Sequence, residues 1–313
     1  MNNQNTSYIQ PIYGPSYKFD KLSLVYSEKS PDHSFKTADL LIGNHINKFI
    51  PGMHVTTNAR YKASARIPIT VDADGTKQVV VLEAGPKRPW TAAYRLEFNP
   101  DKLKAHGMAE LHGLLATWVD EDPVVFMAMS RVTRCDVALD LPGLCVANVL
   151  VKCSGLRKHA VYSDQYGNPQ TVYSGTAKSR RIAAYDKDLF GNGETSLRLE
   201  CRIKPQCYGY QLVSVDNPFE KVRLLPANFM AGCGLGIPWE LVADTMRIGG
   251  LKRALRFLEK KQRNSLKHAL AEAETMLPDP AALWAAWPQT LISCGLGKEL
   301  GAIPVNFLTP KAA

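Results

Sequence analysis

Residues 197–204 read Leu-Arg-Leu-Glu-Cys-Arg-Ile-Lys, and this stretch restricts the fold more tightly than its neighbours do. Apolar Leu197, Leu199, Cys201 and Ile203 alternate without a break with Arg198, Glu200, Arg202 and Lys204. Side chains of a β-strand point to opposite faces with a period of two, so the run is predicted to be a strand with one buried and one polar face. Such two-faced strands belong to antiparallel sheets covered on one side.

The same alternation recurs. In Arg134–Asp140, Cys135, Val137 and Leu139 alternate with Arg134, Asp136, Ala138 and Asp140; in Tyr94–Phe98, Tyr94, Leu96 and Phe98 alternate with Arg95 and Glu97. Three strands therefore share an Arg-x-acid pair: Arg95/Glu97, Arg134/Asp136 and Arg198/Glu200. If they are neighbours, Glu97, Asp136 and Glu200 converge into a cluster of carboxylate oxygens, the ligand type of Mg2+ or Mn2+. The same pattern also describes a solvated sheet face whose cross-strand ion pairs each contribute little.

A fourth candidate strand, Ile182–Lys187, follows a turn-prone basic loop that contains Lys178, Arg180 and Arg181. On a strand, Ala183, Tyr185 and Lys187 share one face. A phenol beside an ammonium and downstream of three cations suits a tyrosine that attacks a phosphodiester, because the cations favour phenolate and hold the anionic substrate. Packing of a half-buried tyrosine in a surface hairpin is the structural alternative. Tyr173, twelve residues earlier, is a second candidate nucleophile but lacks a cation close behind it.

The remaining chain is predicted to be α+β, an antiparallel sheet with flanking helices followed by a mainly α-helical region. Residues 1–20 read as an irregular arm and Lys21–Tyr26 as a strand. Ala38–Phe49 has helical spacing, and Ala59–Ala84 reads as a meander with a tight turn at Asp72–Gly75. Asp101–Val119 is predicted helical, Val124–Leu141 a strand or strand pair, and Cys145–Ser154 a helix. Asp188–Glu194 turns through Gly191-Asn192-Gly193, Trp239–Thr275 is helical, and Pro278–Gly297 contributes short helices. The domain boundary is expected near 206–216, giving a catalytic domain over 1–210 and a basic helical region over 211–313.

In that second region Lys252, Arg256, Lys260, Arg263 and Lys267 recur at helical spacing as a basic stripe, and Leu251, Leu255, Leu258, Leu266 and Leu270 as an apolar one. Residues 252–267 carry seven cations against Glu259 alone. With a formal charge of +9 over the whole chain, this favours a polyanionic partner, duplex DNA in particular. Neither a Walker A loop nor GxGxxG occurs, so no nucleotide site is indicated. The seven cysteines form no CxxC pair, which favours a reducing cytoplasm over a zinc site or disulfide framework. The polar N-terminus carries no secretory pattern, and no apolar run is long enough to span a bilayer. His106 and His112 are six apart on a predicted helix and form no metal-binding pair.

Taken in order, Arg95-Leu96-Glu97 with Asn99-Pro100-Asp101-Lys102, Arg134-Cys135-Asp136, Ala184-Tyr185-Asp186-Lys187 and Arg198-Leu199-Glu200-Cys201-Arg202-Ile203-Lys204 resemble the gene II/X replication initiators of filamentous phages. They resemble more distantly the rolling-circle initiators of staphylococcal-type plasmids and conjugative relaxases. The resemblance covers about residues 90–210. It implies a relaxase-like nuclease domain and a site-specific nicking-closing endonuclease that starts rolling-circle replication through a 5′-phosphotyrosyl intermediate. Tyr185 would be the nucleophile, Lys187 its cationic partner, and Glu97, Asp136 and Glu200 the ligands of Mg2+ or Mn2+. Lys178, Arg180, Arg181, Arg198, Arg202 and Lys204, with Lys252, Arg256, Lys260, Arg263 and Lys267, would meet DNA. The implied partners are origin DNA, duplex and nicked, with host helicase and polymerase, in a bacterial cytoplasm and without a membrane. The chain departs from the plasmid pattern at Ala183, where an arginine is commoner, and Asp140 has no assigned counterpart. The competing class is a DNA-binding replication or regulatory factor that forms no covalent link.

Overall fold

The computed structural model describes residues 15–27, 32–176, 180–188 and 195–296. Lys178, the Gly191–Gly193 turn and residues 1–14 of the expected arm lie outside them. In chain order the strands are β1 (Ser16–Tyr26), β2 (His54–Thr56), β3 (Tyr61–Thr70), β4 (Lys77–Pro86), β5 (Tyr94–Phe98), β6 (Arg131–Pro142), β7 (Val149–Cys153), β8 (His159–Ser163), β9 (Pro169–Gly175), β10 (Arg181–Asp188), β11 (Thr195–Ile203) and β12 (Val222–Pro226). The helices are α1 (Asp32–Ile46), α2 (Pro100–Trp118), α3 (Pro123–Met129), α4 (Trp239–Ala254), α5 (Lys260–Glu272), α6 (Pro280–Trp284) and α7 (Trp287–Ser293). The fold is α+β with a large antiparallel sheet. No helix among the described residues is long and apolar enough to cross a membrane.

The chain divides into two compact units that share β6 between them. The first comprises Lys18–Val137, Ile203–Asp216 and the described residues from Ala285 on; the second comprises Ala138–Arg202, Asn217–Trp284 and the described residues up to Tyr17.

In the first unit the strand order is β2-β3-β4-β5-β1-β6. Strand β3 buries every second residue (Tyr61, Ala63, Ala65, Ile67, Ile69), as its alternation requires. Helix α2 starts where Asn99 accepts a hydrogen bond from the Lys102 amide at 3.0 Å and Pro100 occupies the first turn, and it buries Leu103, Met108, Leu111, Leu115 and Trp118. Helix α1 buries Thr37, Ala38 and Leu41, and the Thr37 hydroxyl lies 3.1 Å from the Tyr94 hydroxyl.

The second unit carries β6-β11-β10-β9-β8 and a separate β12-β7 pair. Its core gathers Leu150, Leu225, Met230, Val242, Met246, Leu266 and Leu270. Helix α5 opens on a capping box in which the Glu259 and Gln262 side chains exchange bonds with each other's backbone. Its last carbonyls, Leu270 and Ala273, accept from the Arg223 guanidinium.

Four expectations are corrected. Ser16–Asp20 belong to β1 rather than to an irregular arm. Residues 123–129 form helix α3, not strand, because Asp122 accepts from the amides of Val124 (2.9 Å) and Val125 (3.2 Å) while Pro123 supplies a preset first turn. Residues 149–153 are strand β7 after a single 3-10 turn at Val146–Asn148, not a helix; β-branched Val149 and Val151 pair with Pro226 and Leu224. The basic stripe does not run along one helix: Gly250 breaks α4 at φ +72°, a 3-10 turn spans Leu255–Phe257, and Glu259 restarts the chain as α5. Lys252, Arg256, Lys260, Arg263 and Lys267 are nevertheless all exposed.

Gly175 closes β9 at φ +91°, where an added Cβ would stand 2.2 Å from the Arg180 carbonyl oxygen. Gly175→Ala therefore combines a disfavoured backbone region with a backbone clash, and urea denaturation should show a loss of about 2 kcal/mol or more.

Candidate active site

Directly opposed residues of antiparallel strands share a face. Tyr185 on β10 stands opposite Thr171 on β9 and Arg198 on β11; Ala183 stands opposite Tyr173 and Glu200; Lys187 stands opposite Ser196; Arg181 stands opposite Arg202. One face of the second unit's sheet thus presents Tyr173, Arg181, Tyr185, Lys187, Arg198, Glu200 and Arg202. The other face buries Val172, Ile182, Ala184, Leu197, Leu199 and Cys201. The alternation that defines these strands is also what brings the polar residues together.

Within that face the Tyr185 hydroxyl donates to Glu200 Oε2 at 3.4 Å. Arg198 is almost fully buried and grips Asp140 on β6 with both arms of its fork, Nε to Oδ1 at 2.5 Å and a terminal nitrogen to Oδ2 at 2.7 Å. Lys187 Nζ approaches the same carboxylate at 3.9 Å. Asp140 therefore fixes two cations that flank Tyr185, and the planar two-point contact sets the guanidinium's orientation as a lysine could not. On the outer strands the Arg181 guanidinium lies 4.7 Å from the Tyr173 ring centroid, and Tyr162 packs edge-on against that ring at 5.7 Å. Tyr173 is thereby held as an aromatic support for Arg181.

The opposite face anchors the strand. Asp186 accepts from the Val146 amide at 2.6 Å; burial raises its pKa, and that hydrogen bond opposes the shift. Arg180 is half-buried, donates to the Pro218 carbonyl, and keeps its Nε buried without a hydrogen-bond partner.

Glu97 and Asp136 are in the first unit, Glu200 in the second. Glu97 accepts from Arg95 at 2.5 Å and pairs with Lys21 at 2.5 Å. Asp136 is buried and gripped by Arg134, with Nε 2.9 and 3.0 Å from its two oxygens. Each of these two carboxylates already faces a cation. Among the described residues no three His, Cys, Asp or Glu side chains form a metal-holding group. His106 and His112 lie on α2, His106 exposed and His112 partly so. Arg202 is partly exposed and Lys204, just past β11, is exposed.

Two carboxylates escaped the sequence reading of roles. Asp140 was visible in the alternation of β6, but its partner is 58 residues away. Glu83 lies inside the apolar run of β4; it is 7% exposed and binds Asn58 (2.8 Å), Ser64 (3.2 Å) and Arg95 (3.0 Å). The Arg95 on the neighbouring strand was its one sequence signal.

No protein-family model matches this chain, and no curated protein matches it.

Proposed function

We propose that the protein is a tyrosine nickase-ligase acting on DNA, an initiator of rolling-circle replication of a phage or plasmid in a bacterial cytoplasm. The observation that carries this reading is the placement of Tyr185 beside a carboxylate and between fixed cations on one polar sheet face. In the reaction, Glu200 takes the phenolic proton as the Tyr185 oxygen attacks phosphorus. The P–O3′ bond breaks, the leaving oxygen takes a proton from solvent to become the 3′-OH, and a 5′-phosphotyrosyl ester remains. Lys187 and Arg181 offset the charge that develops on the phosphoryl oxygens. Arg198 acts through orientation, since Asp140 engages its guanidinium. Closure reverses the steps, with the ester retaining the bond energy. Exposed Lys260, Arg263 and Lys267 on α5 supply sequence-independent contacts to duplex phosphates. Mg2+ or Mn2+, which the family resemblance implies, is a variable of the test.

The test incubates the protein with supercoiled DNA of the replicon that encodes it, with Mg2+ or Mn2+ and with EDTA, and denatures in SDS. A protein–DNA adduct supports the reading; nicking without an adduct indicates attack by water, and neither outcome on origin-containing DNA favours the non-catalytic DNA-binding factor. Glu200→Gln should keep DNA binding and slow adduct formation by about 10²–10⁴-fold, the range of a positioned proton acceptor, in single-turnover kinetics.

A further inference from the structure

The second unit contains a cavity of about 1060 Å³ that lies against β7, the following loop and the broken end of α4. Six cations line it: Lys152, Arg157, Arg247, Lys252, Arg253 and Arg256. Among the described residues its lining includes no carboxylate, amide or hydroxyl side chain. Arg247 belongs to the wall: it is 8% exposed, pairs with Asp244 at 2.7 Å and donates to the carbonyls of Ala147 and Val149. The other five make no ion pair with a described carboxylate. Burial, with a smaller contribution from nearby Arg223, lowers the pKa of Lys152, so the cleft opposes its own positive charge and gains from an anion. Gly250 shapes the rim: an added Cβ would sit 2.8 Å from His159 Nε2, and the positive φ there interrupts the helix just before Lys252 and Arg253. Phe257 also lines the cavity and is 70% exposed.

We propose that this cleft binds single-stranded nucleic acid, with phosphates on Lys152, Arg157, Lys252, Arg253 and Arg256 and one unpaired base stacked on Phe257. Cations combined with an exposed aromatic ring are the sequence-tolerant means of holding a single strand. A mononucleotide site fixes its ligand with a few convergent polar groups that read base and sugar; beyond its cations this lining offers only the Cys153 thiol and the His159 imidazole, whose Nδ1 already meets the Ser174 hydroxyl at 3.2 Å. A duplex keeps its bases stacked on one another and leaves none for Phe257. The cleft is separate from Tyr185 and does not rest on its chemistry.

Fluorescence anisotropy of a labelled oligothymidylate of about 12 nucleotides, in EDTA, tests the proposal on the full chain. Arg157→Ala with Arg253→Ala should weaken binding at least about tenfold and flatten the plot of log K against log salt by about 1.4, at about 0.7 per lost contact. Phe257→Ala should weaken it about tenfold by removing one stacked base. All three positions are exposed, and thermal melts matching the wild type would confirm that the variants fold. The assay reads affinity alone, in EDTA and with no adduct step, so failure here is distinct from failure of the nicking reaction. Unchanged affinity in the cleft variants would overturn the proposal. So would an equal loss on Lys260→Ala with Lys267→Ala, displacement by thymidine triphosphate at equal phosphate concentration, or a duplex of the same length whose binding the cleft variants weaken as much as they weaken the single strand.

Discussion

Tyr185→Phe should lower the yield of covalent protein–DNA adduct by at least about a thousandfold, below detection on an SDS gel, because no other group replaces a lost nucleophile efficiently. The fold should survive, since the ring remains and only the hydroxyl and its 3.4 Å bond to Glu200 are removed. DNA affinity in EDTA should be unchanged. Tyr173→Phe provides the comparison. Its ring would still support Arg181 at 4.7 Å, so it should retain adduct formation within a few-fold of the wild type. Loss of adduct in both variants, with both folded, would mean that the two hydroxyls act together. Loss in Tyr173→Phe alone would transfer the reaction to β9.

The second large effect is on stability. Arg198→Ala should cost about 3–5 kcal/mol in urea or thermal unfolding, because it leaves the Asp140 carboxylate, 1% exposed, without its principal partner. Asp140→Ala should also destabilise, because it removes the carboxylate that takes both arms of a guanidinium only 7% exposed. Replacing both residues with apolar side chains of similar volume should recover much of that loss, since a buried pair contributes little beyond offsetting its own desolvation. The recovered protein should still be slow in nicking, because Asp140 also holds Lys187. Such separation of restored stability from lost rate would distinguish a positioning role from a structural one. An unchanged melting curve for either single substitution would mean that Arg198 and Asp140 do not form a buried pair in solution.

These two predictions differ in how far they could have been made without a structure. The polar face of β10 and β11 was legible because a strand's side-chain period is fixed at two: once Leu197, Leu199 and Cys201 turn inward, Arg198, Glu200 and Arg202 must turn outward. Tyr185 and Lys187 share their face by the same rule. The Asp140–Arg198 grip was not legible, since a single strand does not specify which partner lies beside it. Similarly, Glu97 and Asp136 alternate as expected, yet each is matched by basic residues, Lys21 with Arg95 and Arg134 respectively. Local signals also misled where two periods compete. Val124-Val125-Phe126-Met127 has strand-like composition, but the cap of Asp122 and Pro123 prevails. The stripe from Lys252 to Lys267 keeps helical spacing across a break, because periodicity counts residues and does not register the φ of Gly250.

The most direct test of the central claim is mass spectrometry of the adduct. The protein is reacted with origin DNA, the DNA is trimmed with nuclease, and the modified peptide is sequenced. The account predicts a nucleotide joined through its 5′-phosphate to the peptide containing Tyr185. A nucleotide on Tyr173 or any other residue, or free 5′-phosphate ends on nicked DNA with no modified peptide, would contradict it.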